Sequence, residues 1–422
     1  MTMKPNLNML EATRLTREGR LAEAMTLLQG GLTGDHPPAT SGGSSEDANH
    51  RPAGRTARII DMVPPRSRGG AWTPPKFNFP HSASNPLGDL AGASGQAQVP
   101  ETLRGFLERM GQPGSLPGLD GLVGPGAART PDPLPEGARF EERTFANEAG
   151  SRTYKLYIPS GYTGQPVPLV VMLHGCTQSP DDFAAGTRMN ELAEEQTFLV
   201  AYPAQAQSAN VSKCWNWFNT ADQQRDRGEP SLIAGITRQI MRDLSVAPGR
   251  VYVAGLSAGG AAAAIMGSAY PDLYAAVGVH SGLACGAARD MPSAFAAMRQ
   301  GGAPHQGEAK QPVPTIVFHG DRDTTVNPIN GDQVAAQSGA GSDLRTTVSR
   351  GQASGGINYT RAVACDDNGH PMLEHWVLHG AGHAWSGGSP SGSYTEPRGP
   401  DASREMMRFF LEHPKPAAAS PV

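Results

Sequence analysis

The sequence predicts an α/β protein, a mostly parallel sheet covered by helices on both faces, and three observations lead there. From about Phe140 onward, short apolar runs alternate with stretches of helical period, as in parallel strands joined by crossover helices. A glycine-flanked serine, Gly255-Leu256-Ser257-Ala258-Gly259, follows one of those runs and precedes a helix-forming stretch. The chain before residue 138 has a different composition, which confines the expected sheet to residues 138–414.

Taken in order, residues 9–28 carry Leu15, Leu21, Ala24, Met25, Leu27 and Leu28 around Gly19-Arg20, the pattern of one short helical hairpin within residues 1–32. A single such unit is not a repeat array. Residues 33–137 are dense in Pro, Gly, Ser and Ala and bury too little apolar surface to offset chain entropy, so a disordered linker is expected there. Two short apolar pieces, 76–79 and 103–110, interrupt it as contacts for the following domain or for a hydrophobic partner. Residues 153–158 alternate apolar and polar side chains, which predicts an edge or antiparallel strand. Residues 168–173 and 197–202 read as further strands, and 231–244 as a helix leading to the strand 251–254. Residues 314–318 read as a buried strand and 375–378 as a last short one, with a disordered tail at 415–422.

The serine pentapeptide has the form of a nucleophile elbow, with a strand before it and a helix after it. A serine hydroxyl is a poor nucleophile at neutral pH unless a turn presents it to a base and to donors for the developing oxyanion. Gly255 lets the strand end without a clash, and Gly259 lets the helix start close beneath it. In α/β-hydrolases the partners follow in the order Ser, Asp or Glu, His. The strand 314–318 runs into His319-Gly320-Asp321-Arg322-Asp323, where both aspartates fit the acid and Asp323 is favoured. The strand 375–378 runs into His379-Gly380-Ala381-Gly382-His383, where His383, glycine-flanked, is favoured as base over His379. His319, His375 and His280 are expected to pack or to anchor backbone. The oxyanion donors are expected from the N–H of Ala258 and from the loop His174-Gly175-Cys176-Thr177-Gln178, with Cys176 preferred to Thr177.

These blocks carry a resemblance. Leu173-His174-Gly175-Cys176-Thr177-Gln178, Cys214-Trp215-Asn216-Trp217-Phe218, the serine pentapeptide, His280-Ser281-Gly282, the aspartate turn and Gly382-His383-Ala384-Trp385-Ser386-Gly387-Gly388 occur in one order from about Arg139 to His413. Together they resemble the polyhydroxybutyrate depolymerase family esterases, which are similar to feruloyl and acetylxylan esterases. The resemblance implies an α/β-hydrolase fold, a triad of Ser257, Asp323 and His383, and an oxyanion hole using Cys176. It further implies Trp215, Trp217 and Trp385 as walls of an acyl pocket and a disulfide between Cys176 and Cys214. The implied substrate is a polyester or a small ester, cleaved without metal or organic cofactor, with a polyhydroxyalkanoate granule surface as a partner.

A net charge of −4 gives no electrostatic reason to expect nucleic acid. Four cysteines make neither a disulfide framework nor zinc-ligand spacing. No apolar leader follows the first residues and no stretch is long enough to span a bilayer, so no transmembrane segment and a cytoplasmic address are expected. The alternatives are a feruloyl or acetylxylan type carbohydrate esterase and, from another class, a granule-binding scaffold acting through its N-terminal region.

Overall fold

The computed structural model describes residues 134–302, 313–340 and 342–415. The hairpin expected at 1–32, the linker expected at 33–137 up to residue 133, and the tail from 416 lie outside the described residues.

Ten strands form one sheet: β1 (Arg139–Asn147), β2 (Gly150–Ile158), β3 (Val167–Leu173), β4 (Leu199–Pro203), β5 (Val246–Leu256), β6 (Ala276–His280), β7 (Thr315–Gly320), β8 (Arg345–Gln352), β9 (Asn358–Cys365) and β10 (Pro371–Leu378). Their order is β1-β2-β4-β3-β5-β6-β7-β10-β9-β8. From β4 to β10 every neighbouring pair is parallel. The pairs β1-β2, β2-β4, β10-β9 and β9-β8 are antiparallel. Strands β4, β6 and β7 are buried along their whole length, because a parallel sheet is covered on both faces and its strands read as continuous apolar runs.

Among the described residues seven α-helices supply that cover: α1 (Pro180–Thr187), α2 (Met189–Gln196), α3 (Gly228–Asp243), α4 (Ala258–Ala269), α5 (Met291–Gln300), α6 (Ile329–Ser338) and α7 (Ala402–Glu412). The two-residue period of a strand divides the core into two layers. Leu169, Val171 and Leu173 of β3 join one layer with Ile233, Ile236 and Ile240 of α3 and Met266 of α4. Val170 and Met172 join the other with Phe183 of α1, Leu192 of α2, and Met406 and Phe410 of α7. Helix starts are set by side chains: Ser179 accepts from the N–H of Asp182, Asp401 from that of Arg404, and Asp290 with Ser293 forms a capping box.

Residues 153–158 lie in β2, which is antiparallel as expected but not an edge, since β1 pairs outside it. The 375–378 strand is not the last, because the two-residue strands β11 (Trp385–Ser386) and β12 (Thr395–Glu396) pair after it. The hairpin β8-β9 was not expected, for β8 is polar and exposed almost throughout and β9 carries only the short run Ala362-Val363-Ala364-Cys365. Among the described residues no helix is long and apolar enough to cross a membrane.

Candidate active site

Strand β5 ends at Leu256, helix α4 starts at Ala258, and Ser257 turns the chain between them with φ of 58° and ψ of −119°. A non-glycine residue at such angles is strained and persists only where its surroundings hold it. Here the Ser257 N–H donates to the His280 carbonyl at 2.9 Å and its own carbonyl accepts from Ala261 at 2.9 Å. The flanking glycines are required by space. A Cβ on Gly255 would stand 2.3 Å from Gly259 backbone, and one on Gly259 would stand 2.0 Å from the Leu173 carbonyl oxygen. The close crossing of β3 and α4 thus leaves no room for a side chain at either position.

Both aspartates after β7 pair with a histidine after β10, and burial separates the two pairs. The Nδ1 of His383 lies 2.6 Å from Oδ2 of Asp323, whose side chain is 0% exposed. The Nδ1 of His379 lies 2.9 Å from Oδ2 of Asp321, whose side chain is 37% exposed. Asp323 also accepts at Oδ1 from the N–H groups of Thr325 (2.9 Å) and Val326 (2.8 Å). Burial pushes the Asp323 carboxyl up, but the charge and hydrogen bonds of His383 and His319 outweigh it and hold the group far below the usual carboxylate range. A carboxylate at Nδ1 fixes the proton there and leaves Nε2 of His383 as the basic nitrogen. His280 and His319 serve the backbone, as expected. The Ser386 N–H donates to Nε2 of His280 at 3.0 Å, and Nε2 of His319 lies 2.9 Å from the Val326 carbonyl. His375 is packed, with Nδ1 3.7 Å from Asp332.

On the loop after β3, the Thr177 N–H is engaged with the Ser212 carbonyl at 2.7 Å, which removes it as an oxyanion donor. The N–H groups of Cys176 and Ala258 meet no protein acceptor among the described residues. That of Ala258 also opens α4, where the helix dipole favours negative charge. A Cβ added to Gly175 would crowd Gln178 Oε1 at 3.1 Å and meet Ser257 Cβ at an ordinary contact distance of 3.6 Å, so the loop lies directly against the serine. Cys176 is joined to Cys214 by a disulfide.

A small open cleft is lined by Gly175, Cys176, Gln178, Leu256, Ser257, His383 and Tyr394. The serine, the histidine and the loop after β3 therefore open onto one space. The three tryptophans implied as pocket walls are not among its lining residues. Trp215 is fully buried and donates its indole N–H to the His174 carbonyl at 3.1 Å. Trp385 is buried against Phe183 and His280, donating to Ser403 Oγ at 3.1 Å. Trp217 is buried edge-on to Phe218. Each ring finds more apolar surface in the core than a small cleft would offer it.

Tyr394 and Gln178 take the place of those walls. Gln178 accepts from the Gly175 N–H at 2.9 Å and donates to Asp182 at 2.8 Å, and Asp182 accepts from the Ser393 N–H at 2.9 Å. This chain of bonds ties the loop after β3 to the segment that presents Tyr394, whose φ is 53°. The available sequence signal was a lone aromatic residue in the glycine- and serine-rich run from 387 to 394.

The sequence pattern of the family described as esterase PHB depolymerase matches residues 152–340. The chain is 32% identical over 255 residues to poly(3-hydroxyalkanoate) depolymerase C of Paucimonas lemoignei, covering 57% of this chain and 60% of that protein. It is 27% identical over 216 residues to a probable acetylxylan esterase A of Aspergillus clavatus, covering 47% of this chain and 69% of that one. Among solved structures, an acetyl xylan esterase from Aspergillus awamori superposes with a TM-score of 0.52 at 20% identity, over 65% of this chain and 99% of that one. That likeness and the sheet described above make the fold an α/β-hydrolase fold.

Proposed function

We propose that the chain, which fits the polyhydroxybutyrate depolymerase-like family of esterases over its matched residues, is a serine esterase working through Ser257, His383 and Asp323. The observation that carries this reading is the buried Asp323–His383 pair opening onto the same cleft as the strained Ser257. In the reaction, Nε2 of His383 takes the Ser257 proton as Oγ attacks the ester carbonyl, and Asp323 stabilises the imidazolium that forms. The N–H groups of Cys176 and Ala258 receive the oxyanion, a donor pair in which each member is worth roughly 3 to 4 kcal/mol in the transition state. His383 then protonates the departing alcohol and activates the water that hydrolyses the acyl-enzyme.

The ester we infer is that of a 3-hydroxyalkanoate polymer or its oligomers. Support comes from the depolymerase relative, of whose length this chain spans 60%. A carbohydrate esterase is the second reading, favoured by the likeness to acetylxylan esterases. A panel of hydroxybutyrate oligomers, acetylated xylan and a feruloylated sugar separates the two. The first reading expects the highest kcat/KM on the oligomers, and a preference for either sugar ester would replace it with the second.

A further inference from the structure

The segment between β4 and α3 touches the oxyanion loop at four points. The Gln205 N–H donates to Nε2 of His174 at 3.1 Å, which makes Nε2 the acceptor and leaves Nδ1–H to donate to the Gly175 carbonyl at 2.7 Å. The Ser212 carbonyl accepts from Thr177 and the Trp215 indole donates to the His174 carbonyl. The fourth link is covalent, Cys214 to Cys176. The loop that carries the Cys176 N–H is therefore held from outside itself as well as by its own bonds.

That outer segment has its own anchor. Glu229, in the first turn of α3 and buried, accepts at Oε2 from the Asn216 N–H (2.7 Å) and at Oε1 from Asn216 Nδ2 (2.8 Å) and Gln205 Nε2. Arg152 of β2 lies 3.6 Å from Oε1 and donates to Gln205 Oε1 at 3.0 Å. Burial pushes the Glu229 carboxyl up to about 7, with Asp222 adding to the rise and Gln205, Asn216 and Arg152 opposing it. These contacts do not fully offset the desolvation of the charge, and a carboxyl group kept buried at that cost is explained by the segment it holds in place.

We propose that Glu229 is a positioning residue for ester cleavage: its carboxylate fixes residues 205–216, and that segment holds the Cys176 N–H where the oxyanion forms. The inference rests on the oxyanion role given to Cys176 above. A carboxylate suits the place because every contact made on its two oxygens comes from a donor. A glutamine would set its own NH₂ against one of those donors.

The test is steady-state hydrolysis of p-nitrophenyl butyrate by the full chain and its Glu229→Gln variant. A donor moved out of line weakens transition-state binding and leaves ground-state binding alone, so kcat is expected to fall roughly tenfold with KM within about twofold. The loss is expected to be sub-additive with that of Cys214→Ala, since both act through one segment. A folded Glu229→Gln enzyme with wild-type kcat, a change in KM alone, or fully multiplicative losses would overturn the proposal. If Glu229→Gln does not fold, Asn216→Ala removes the side-chain bond to Glu229 Oε1, keeps the backbone one and strands no charge. The same split is expected there, and wild-type kcat overturns the idea. A wild-type chain as slow as Ser257→Ala would mark failure of the esterase reading itself, which the variant comparison keeps distinct.

Discussion

Two carboxylates on one turn, Asp321 and Asp323, each face a histidine on one later loop, and only their surroundings tell them apart. Asp321 and His379 form an exposed pair, screened by water and of small consequence. Asp323 is buried, takes two backbone N–H bonds and fixes the proton of a histidine that opens onto the cleft. Asp323→Asn is therefore expected to lower kcat by on the order of 10⁴, by placing the proton of His383 on the wrong nitrogen. Asp321→Asn should leave kcat near wild type, and the reverse ranking in the same assay would reassign the acid. The preference for Asp323 was legible in the sequence only as a preference, because two residues of separation on a turn do not say which one turns inward. Ser257 was the more legible residue, since Gly255 and Gly259 mark a crossing too close for side chains. The tryptophans misled because an aromatic residue near a catalytic motif reads equally well as pocket wall or as core, and here all three are core.

At the scale of elements, the inner parallel strands announced themselves as apolar runs, whereas β8 and β9 did not. Besides the β9-β10 ladder, that hairpin is fastened to the domain through a buried glutamate that no hydropathy pattern reveals. Glu374 on β10 is 1% exposed in its side chain and bridges Arg361 of β9 at 2.7 Å and Arg408 of α7 at 2.8 Å, while also accepting from the Trp376 indole at 3.2 Å. Burial pushes the Glu374 carboxyl up, but the two guanidinium groups more than cancel that and hold it below the usual range. Glu374→Ala takes the carboxylate from Arg361, while Arg408 keeps Glu405 and Glu412, and is expected to destabilise the fold by about 1 to 3 kcal/mol, read as a drop in the denaturation midpoint. Because the folded pKa is depressed, this contribution is complete above the unfolded carboxylate pKa and is lost as pH falls through the folded value. The gap in midpoint between wild type and Glu374→Ala should therefore narrow in acid. A gap independent of pH would mean that Glu374 acts through packing alone. Glu229 was equally hidden, since a lone glutamate at a helix start reads as a solvated cap until its burial is seen.

For the whole molecule, the order of six sequence blocks made the α/β-hydrolase architecture legible, because each block sits at the carboxyl end of a strand or on the loop that follows it. The strand order was not legible, since which strands neighbour one another depends on crossover connections that local patterns do not encode. Every residue given a role in the site lies between His174 and Tyr394. Deleting residues 1–132 is thus expected to spare turnover of a soluble ester, and loss of that turnover in a folded product would give the N-terminal region a part in the site. The central claim is that Ser257 attacks the ester carbonyl. Its most direct test is the hydrolysis rate of p-nitrophenyl butyrate by wild type and by Ser257→Ala. The account predicts a fall in kcat on the order of 10⁶, and a Ser257→Ala rate near that of wild type would contradict it.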